Sequence, residues 1–400
     1  MEKDSSQSNR LPSISIFRAV TMFLMIFVND FWTLENIPDW LKHSAAADDD
    51  MGLSDVVFPV FLFIVGLSLP FAINNRKGKG DNNGQILVHI LERTFALLLM
   101  GIFLVNYENI ISESMLLDKY IWGILTVVAF FLIWNQYPQT SGKWNLFFSL
   151  KLLGYVLLIF LATIYKGGTV ENPTWMATYW WGILGLIGWS YLICSVGYLY
   201  LKHSLVLIFI FWLMLVLFNL ADFAGWLRTL DDLRDTIWIV GSGAIPAFTM
   251  SGVVASMLYL RYFNKDNTAI LISILIFLGL LSLVYGFGTR PFWGISKIRS
   301  TPAWLGICTG IGFISYASFF WLVEVMNVKK WANILKPAGE ATLTCYLIPY
   351  LWYAVVTIAD INLPILLRTG IIGLVKSLIF SIVIILTTGL INRFGIKLKI

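Results

Sequence analysis

The sequence predicts an all-α fold: a polytopic transmembrane helical bundle of about twelve spans, with both termini cytoplasmic. Three observations carry this. Hydrophobic residues make up 58% of the chain and charged residues 13%, with a mean hydropathy of +0.78. A soluble domain carries about 25% charge, so this chain lacks the polar groups for a water-facing surface. Apolar stretches recur along the whole length and reach the roughly 20 residues a helix needs to cross hydrocarbon. Finally, the chain has 17 Trp and 16 Tyr, many at the ends of those stretches, as in interfacial belts. The apolar runs are continuous, whereas strands of a membrane β-barrel alternate apolar and polar residues.

The expected spans are 13–31, 53–73, 86–105, 120–137, 146–165, 179–201, 204–222, 237–261, 269–286, 302–326, 339–358 and 371–391. The whole chain, 1–400, reads as one transmembrane domain, with 1–11 a short cytoplasmic tail. The first apolar run is too long for a cleaved leader and lacks a small-residue cleavage site. Pro59, Gly66 and Pro70 are expected to kink the second helix. Trp122-Gly123-Ile124-Leu125 echoes Trp181-Gly182-Ile183-Leu184, and a parallel repeat is one reading of that echo.

Lys and Arg in short loops set the orientation. Lys3 and Arg10 place the N-terminus inside. Arg76, Lys77, Lys79, Lys143, Lys202, Arg261, Lys265, Lys329, Lys330, Lys336, Arg393, Lys397 and Lys399 then share that side. The outer loops hold Asp48, Asp49 and Asp50, then Glu108, Glu113 and Asp118, then Asp231, Asp232 and Asp235. The outer loop with Arg290, Lys297 and Arg299 breaks the pattern and calls for another role. The formal charge of +5 is spread over the loops, so no nucleic-acid partner is expected. Cys194, Cys308 and Cys345 lie in apolar runs and read as core residues, with no metal expected.

Ionisable groups at membrane depth are costly and usually functional. Asn29 and Asp30 close the first helix, His43 follows in the loop, and Asp55 opens the second helix. Asp55 suits a helix N-terminus as a cap, and it suits a catalytic role equally. Asn29 could terminate its helix. The aspartate triplet reads as a solvated face, with an acidic cation site as the weaker alternative, and Arg18 as a snorkelling cation. Among the histidines, His89 and His203 fall on the inner side. His43 alone is on the outer side, near a carboxylate that could fix its tautomer.

At these residues the chain resembles the heparan-α-glucosaminide N-acetyltransferase-like membrane proteins. Ser13 to Ala19 resembles the family's S-x-D-x-F-R-G opening, and Val28-Asn29 its V-N. His43 resembles the histidine before A-D-L-V-F-P, which appears here as Ser54-Asp55-Val56-Val57-Phe58-Pro59 followed by Phe63-Ile64-Val65-Gly66. Lys297 with Thr301-Pro302-Ala303-Trp304 is similar to a lysine and T-P-S-W. Trp181 to Gly185 and Ala338 to Tyr346 resemble two further helix entrances. Ser15, Ala19 and Glu340 depart from the pattern, and Ala45-Ala46-Ala47 stands where a W-N-G is absent. The fourth and fifth helices are extra relative to the family core.

The resemblance implies transfer of an acetyl group from cytosolic acetyl-CoA to an amino sugar or glycan on the periplasmic side of a bacterial inner membrane. It implies His43 as nucleophile or base, Asn29 as the polarising group and Asp55 as the residue orienting His43. Asp30, Lys297 and Trp304 are expected at the substrate. Arg76, Lys77, Arg93 and Arg261 are candidates for the CoA phosphates. The expected partners are the glycan acceptor, the bilayer and, as one arrangement, a second copy in a homodimer. A transporter or flippase for a glycan or lipid-linked sugar is the rival reading, and it would tolerate loss of His43.

Overall fold

A computed structural model gives the fold and describes residues 11–138, 142, 144–201, 204–230, 240–263 and 267–400. Lys3, Arg10, Lys143, Lys202, His203, Asp231, Asp232, Asp235, Lys265 and the start of the 237–261 span lie outside the described residues.

Regular structure is almost entirely helical. In order, the helices are α1 (Pro12–Asn29), α2 (Leu53–Gly78), α3 (Asn83–Glu108), α4 (Lys119–Trp134), α5 (Trp144–Thr163), α6 (Ile183–Tyr200) and α7 (Leu205–Phe223). Then come α8 (Ala244–Tyr262), α9 (Thr268–Trp293), α10 (Pro302–Phe320), α11 (Lys336–Glu340), α12 (Thr342–Ile358) and α13 (Gly370–Arg393). Among the described residues the only paired strands are Gly167–Gly168 and Pro173–Thr174.

By length and composition, ten helices among the described residues can cross a membrane. The Lys330–Glu340 and Thr342–Ile358 segments bend by 78° against each other and make an eleventh, broken span. At 16 residues α4 is apolar but short. Each of the twelve expected spans thus falls on a helix. The difference in number comes from that short helix and the bend, which a hydropathy pattern does not register.

Burial sorts the helices. Only 17% of the apolar window of α5 and 33% of those of α9 and α13 are buried, whereas 83% of that of α8 is. The outer helices present apolar faces suited to lipid. The inner α8 is rich in small residues, which let backbones approach closely. A Cβ on Gly66 of α2 would stand 1.8 Å from the Thr249 carbonyl oxygen, and one on Gly252 of α8 would stand 1.9 Å from that of Phe63. This crossing seats α2, which runs unbroken through Pro59 and Pro70.

With α11 and α12 taken as one broken span, successive spans alternate in direction, so the loops gather at two ends. One end holds residues 30–52, 294–301 and 359–369; the other holds 79–82, 326–335 and 394–400. The Arg18 guanidinium turns into the bundle, donating to Ser68 Oγ of α2 and, at 3.5 Å, to the Gly339 carbonyl. The expectation of a snorkelling side chain gives way to these bonds. At the same end Glu324 accepts a bond from the Ser13 amide at 2.9 Å and caps α1. The two Trp-Gly-Ile-Leu segments occupy different settings. Trp122 is fully buried inside α4, while Trp181 precedes α6 and is exposed.

Candidate functional site

The site is built where the 34–52 loop returns to α2. Gly52 caps α2, and a Cβ there would stand 1.9 Å from the Lys42 carbonyl oxygen. Glycine therefore lets the loop fold back onto the helix start. Ser54 Oγ donates to the Leu41 carbonyl at 2.6 Å and fastens the same approach. His43 is carried by the returning strand of loop, and Asp55 by the first turn of α2.

Asp55 is 1% exposed, and its two carboxylate oxygens have different partners. Its Oδ2 accepts the Gly52 amide at 3.1 Å, which is helix capping, and the Ser44 amide at 3.0 Å, which fastens the loop after His43 to the helix start. Its Oδ1 lies 2.7 Å from His43 Nδ1. A carboxylate only accepts, so Nδ1 carries the proton and donates. In the neutral ring that tautomer leaves Nε2 as the acceptor, on a side chain that is 50% exposed. The buried carboxylate and the open imidazole form an acid–base pair pointing out of the bundle.

A third group comes from the other wall. Lys297 Nζ lies 3.7 Å from Asp55 Oδ1 and 3.2 Å from His43 Nδ1. Burial pushes the Lys297 pKa down, against the Asp55 charge, which pulls it up. The loop holding Lys297 is tightly fixed. Thr301 Oγ1 caps α10 through the Trp304 amide and accepts the Ser296 amide at 3.0 Å. Ser300 sits in the left-handed region at φ 57°, and its carbonyl accepts from the buried Asn219 at 3.1 Å. A non-glycine residue held there is strain maintained by its surroundings.

The anomalous basic loop now has an explanation. Arg290 Nε reaches both carboxylate oxygens of Asp49, at 3.0 and 3.1 Å, and its Nη2 reaches the Asp49 carbonyl. The Ile295 amide donates to the same carboxylate at 2.7 Å. That backbone bond, with Arg290 behind it, holds the Asp49 carboxyl below the usual carboxylate range. Asp48 and Asp50 accept amides within their own loop. The triplet is thus more than a solvated face, since Asp49 clamps the His43 loop to the Lys297 loop.

The remaining candidates separate. Trp304 is 1% exposed and donates its indole N–H to the Asp55 carbonyl at 3.0 Å, supporting the site from behind. Asn29 is exposed and, among the described residues, shares no hydrogen bond with His43 or Asp55. It follows Arg18, Met22 and Met25 on one helical stripe. Arg18 on that stripe reaches both Ser68 of α2 and the Gly339 carbonyl, and the helical spacing carries the stripe on to Asn29 at the His43 end. Asp30 points the other way, toward α12 and α13. At the opposite end Arg76 is paired with Asp81 at 2.8 Å, and Arg261 lies over the Tyr262 ring. Lys77 is in the last turn of α2. Deeper in the bundle, Arg93 stacks on Tyr191 at 4.5 Å, and its Nε is buried without a hydrogen-bond partner.

The sequence reading missed Asn219, Arg290 as a partner of Asp49, and Lys376. Lys376 was findable as a lone cation in the apolar span 371–391. The other two depend on contacts between residues far apart in the chain.

These features define a class: a helical membrane protein with an exposed histidine, oriented by a buried carboxylate, at one end of its bundle. Residues 10–179 match the model of the catalytic region of heparan-alpha-glucosaminide N-acetyltransferase. The mouse protein of that name is 26% identical over 163 residues, covering 38% of this chain and 24% of its own. The human protein of that name is 33% identical over 101 residues, covering 24% of this chain and 14% of its own. The match thus spans a quarter or less of either relative. The chain resembles this family in the segment carrying Asn29, His43, Asp55 and Arg93, whereas Lys297, Trp304 and Arg261 lie beyond it.

Proposed function

We propose that the chain is a membrane N-acetyltransferase, folded as one transmembrane domain. It moves an acetyl group from cytosolic acetyl-CoA to the amine of an amino sugar or related glycan at the periplasmic face of a bacterial inner membrane. The observation that carries the reading is the 2.7 Å contact between His43 Nδ1 and the buried Asp55 carboxylate, with the ring otherwise open. The family match over residues 10–179 supplies the reaction type.

In this reading His43 Nε2 takes a proton from the acceptor amine as its nitrogen attacks the thioester carbonyl. The N–C bond forms, the C–S bond breaks, and the departing thiolate takes up the proton. Asp55 stabilises the transient imidazolium. Asn29 polarises the thioester carbonyl, and Lys297 gives the substrate a further hydrogen-bond donor. The CoA phosphates need cations at the other end of the path. Arg93 fits best, because its buried Nε has no partner, whereas Arg76 is already paired with Asp81.

Reconstitution tests the vectorial claim. Liposomes carrying the protein would receive labelled acetyl-CoA outside and glucosamine-ended acceptors inside. Labelled N-acetyl product inside the vesicles supports the reading. CoA release without acetylated acceptor, or product only on the donor side, contradicts it.

A further inference from the structure

Lys376 lies in the second turn of the last apolar helix, largely buried, where a cation is costly unless it is used. Its Nζ is 2.6 Å from Asp30 Oδ2 and 2.8 Å from Thr33 Oγ1. Ser377 Oγ donates to the same Asp30 oxygen at 2.5 Å, and the Tyr353 hydroxyl donates to Oδ1 at 2.7 Å. Asp30 is 1% exposed and is the C-cap of α1. A carboxylate at a helix C-terminus faces the negative end of the dipole, so neither burial nor the helix favours an anion there. The ammonium of Lys376 and two hydroxyls are what hold it.

Buried ion pairs contribute little net stability and are better understood through the geometry they enforce. Here that geometry concerns the neighbouring residue. Asp30 faces α12 and α13, and Asn29, one residue earlier, lies about 100° around the helix on the stripe that carries Arg18. Fixing one fixes the other. Farther out, the strand-like contact of Glu35 with Thr369 and the edge-on contact of Trp32 with Tyr353 tie the same segments together, while Asp30 is the charged contact nearest to Asn29.

We propose that Asp30 and Lys376 are a positioning pair for the transfer centre: they set the rotation of the last turn of α1 so that the Asn29 carboxamide faces the His43 opening. This rests on the acetyl-transfer reading. It gives Asp30 a part played through Asn29 in place of direct contact with substrate.

The test uses the full chain in detergent with two readouts. The first is kcat and KM for Lys376→Met and Lys376→Arg. The second is the rate at which Asn29→Cys reacts with a water-soluble maleimide, with and without Lys376→Met. The native cysteines are buried and give a low background. The expected result is a tenfold or greater fall in kcat for Lys376→Met with KM within twofold, partial recovery in Lys376→Arg, and a clear change in the labelling rate. If Lys376→Met does not fold, Asp30→Asn with Lys376→Gln removes both charges and is read the same way. Unchanged kcat overturns the proposal, and so does an unchanged labelling rate. A wild type that acetylates nothing sinks the acetyl-transfer reading, and the labelling arm still reports whether the pair positions residue 29.

Discussion

Asp55 divides its carboxylate between two tasks: one oxygen caps α2 through the Gly52 amide and holds the loop by the Ser44 amide, and the other holds His43 at 2.7 Å. Replacement by asparagine keeps the shape but not the charge that stabilises an imidazolium. The expected outcome for Asp55→Asn is a fall in kcat/KM of about 10²-fold or more, within the span that acid–base groups contribute. Steady-state kinetics checks this. A loss under threefold would detach Asp55 from the chemistry.

The pH profile should carry the mark of Lys297. Burial lowers its pKa, so its ammonium loses its proton below the ordinary lysine range. If that ammonium assists the reaction, the rate falls on the alkaline side at this lowered pH. Lys297→Arg keeps the charge at all accessible pH and moves the fall upward. Asp55→Asn removes the charge that raises the Lys297 pKa, so the residual activity falls off at still lower pH. A basic limb unmoved by Lys297→Arg would count against this role.

The Asp49–Arg290 clamp has the opposite sign of pH dependence. The folded state lowers the Asp49 pKa, so the associated stability is present above the ordinary carboxylate range and is lost as pH falls through the lowered value. Thermal unfolding should show no clamp-dependent change from about pH 5 to 8. Within that window Asp49→Asn should lower kcat more than it lowers the melting temperature, because the clamp joins the two site loops. Melting curves and kinetics on the same preparation separate the effects. A large loss of stability with intact turnover would contradict the assignment.

Arg93 should act on the donor alone. Its Nε has no hydrogen-bond partner among the described residues, and Arg93→Met gives up the contact with the Tyr191 ring. The expected outcome is a KM for acetyl-CoA raised about tenfold or more, the scale of one charge-assisted contact, with the acceptor KM unchanged. Equal effects on both substrates would point to a general disturbance of the bundle.

The fold was legible because length and hydropathy alone decide which segments can cross a bilayer. The 78° bend and the short α4 were not, since neither changes local hydropathy. At the site, His43 and Asp55 stood out as polar groups twelve residues apart at one end of an apolar helix. Asp55's dual role was open, because capping and orienting a histidine ask for the same residue type. The structure shows both contacts, because the two oxygens have different partners. The Asp49 clamp was hidden because its partner is 241 residues away, although the surplus of cations around Arg290 marked the place. Trp304 looked like a substrate contact by motif, and the structure spends its indole N–H on the Asp55 carbonyl.

The most direct test of the central claim compares wild type with His43→Ala in detergent. Both receive isotopically labelled acetyl-CoA and a panel of amino sugars and glucosamine-ended oligosaccharides, with products read by mass spectrometry. The account predicts labelled N-acetyl product from wild type and a loss of about 10²-fold to 10⁴-fold in the variant. Equal rates in the two proteins would contradict the role of His43, and no acetylation of any acceptor by wild type would contradict the function itself.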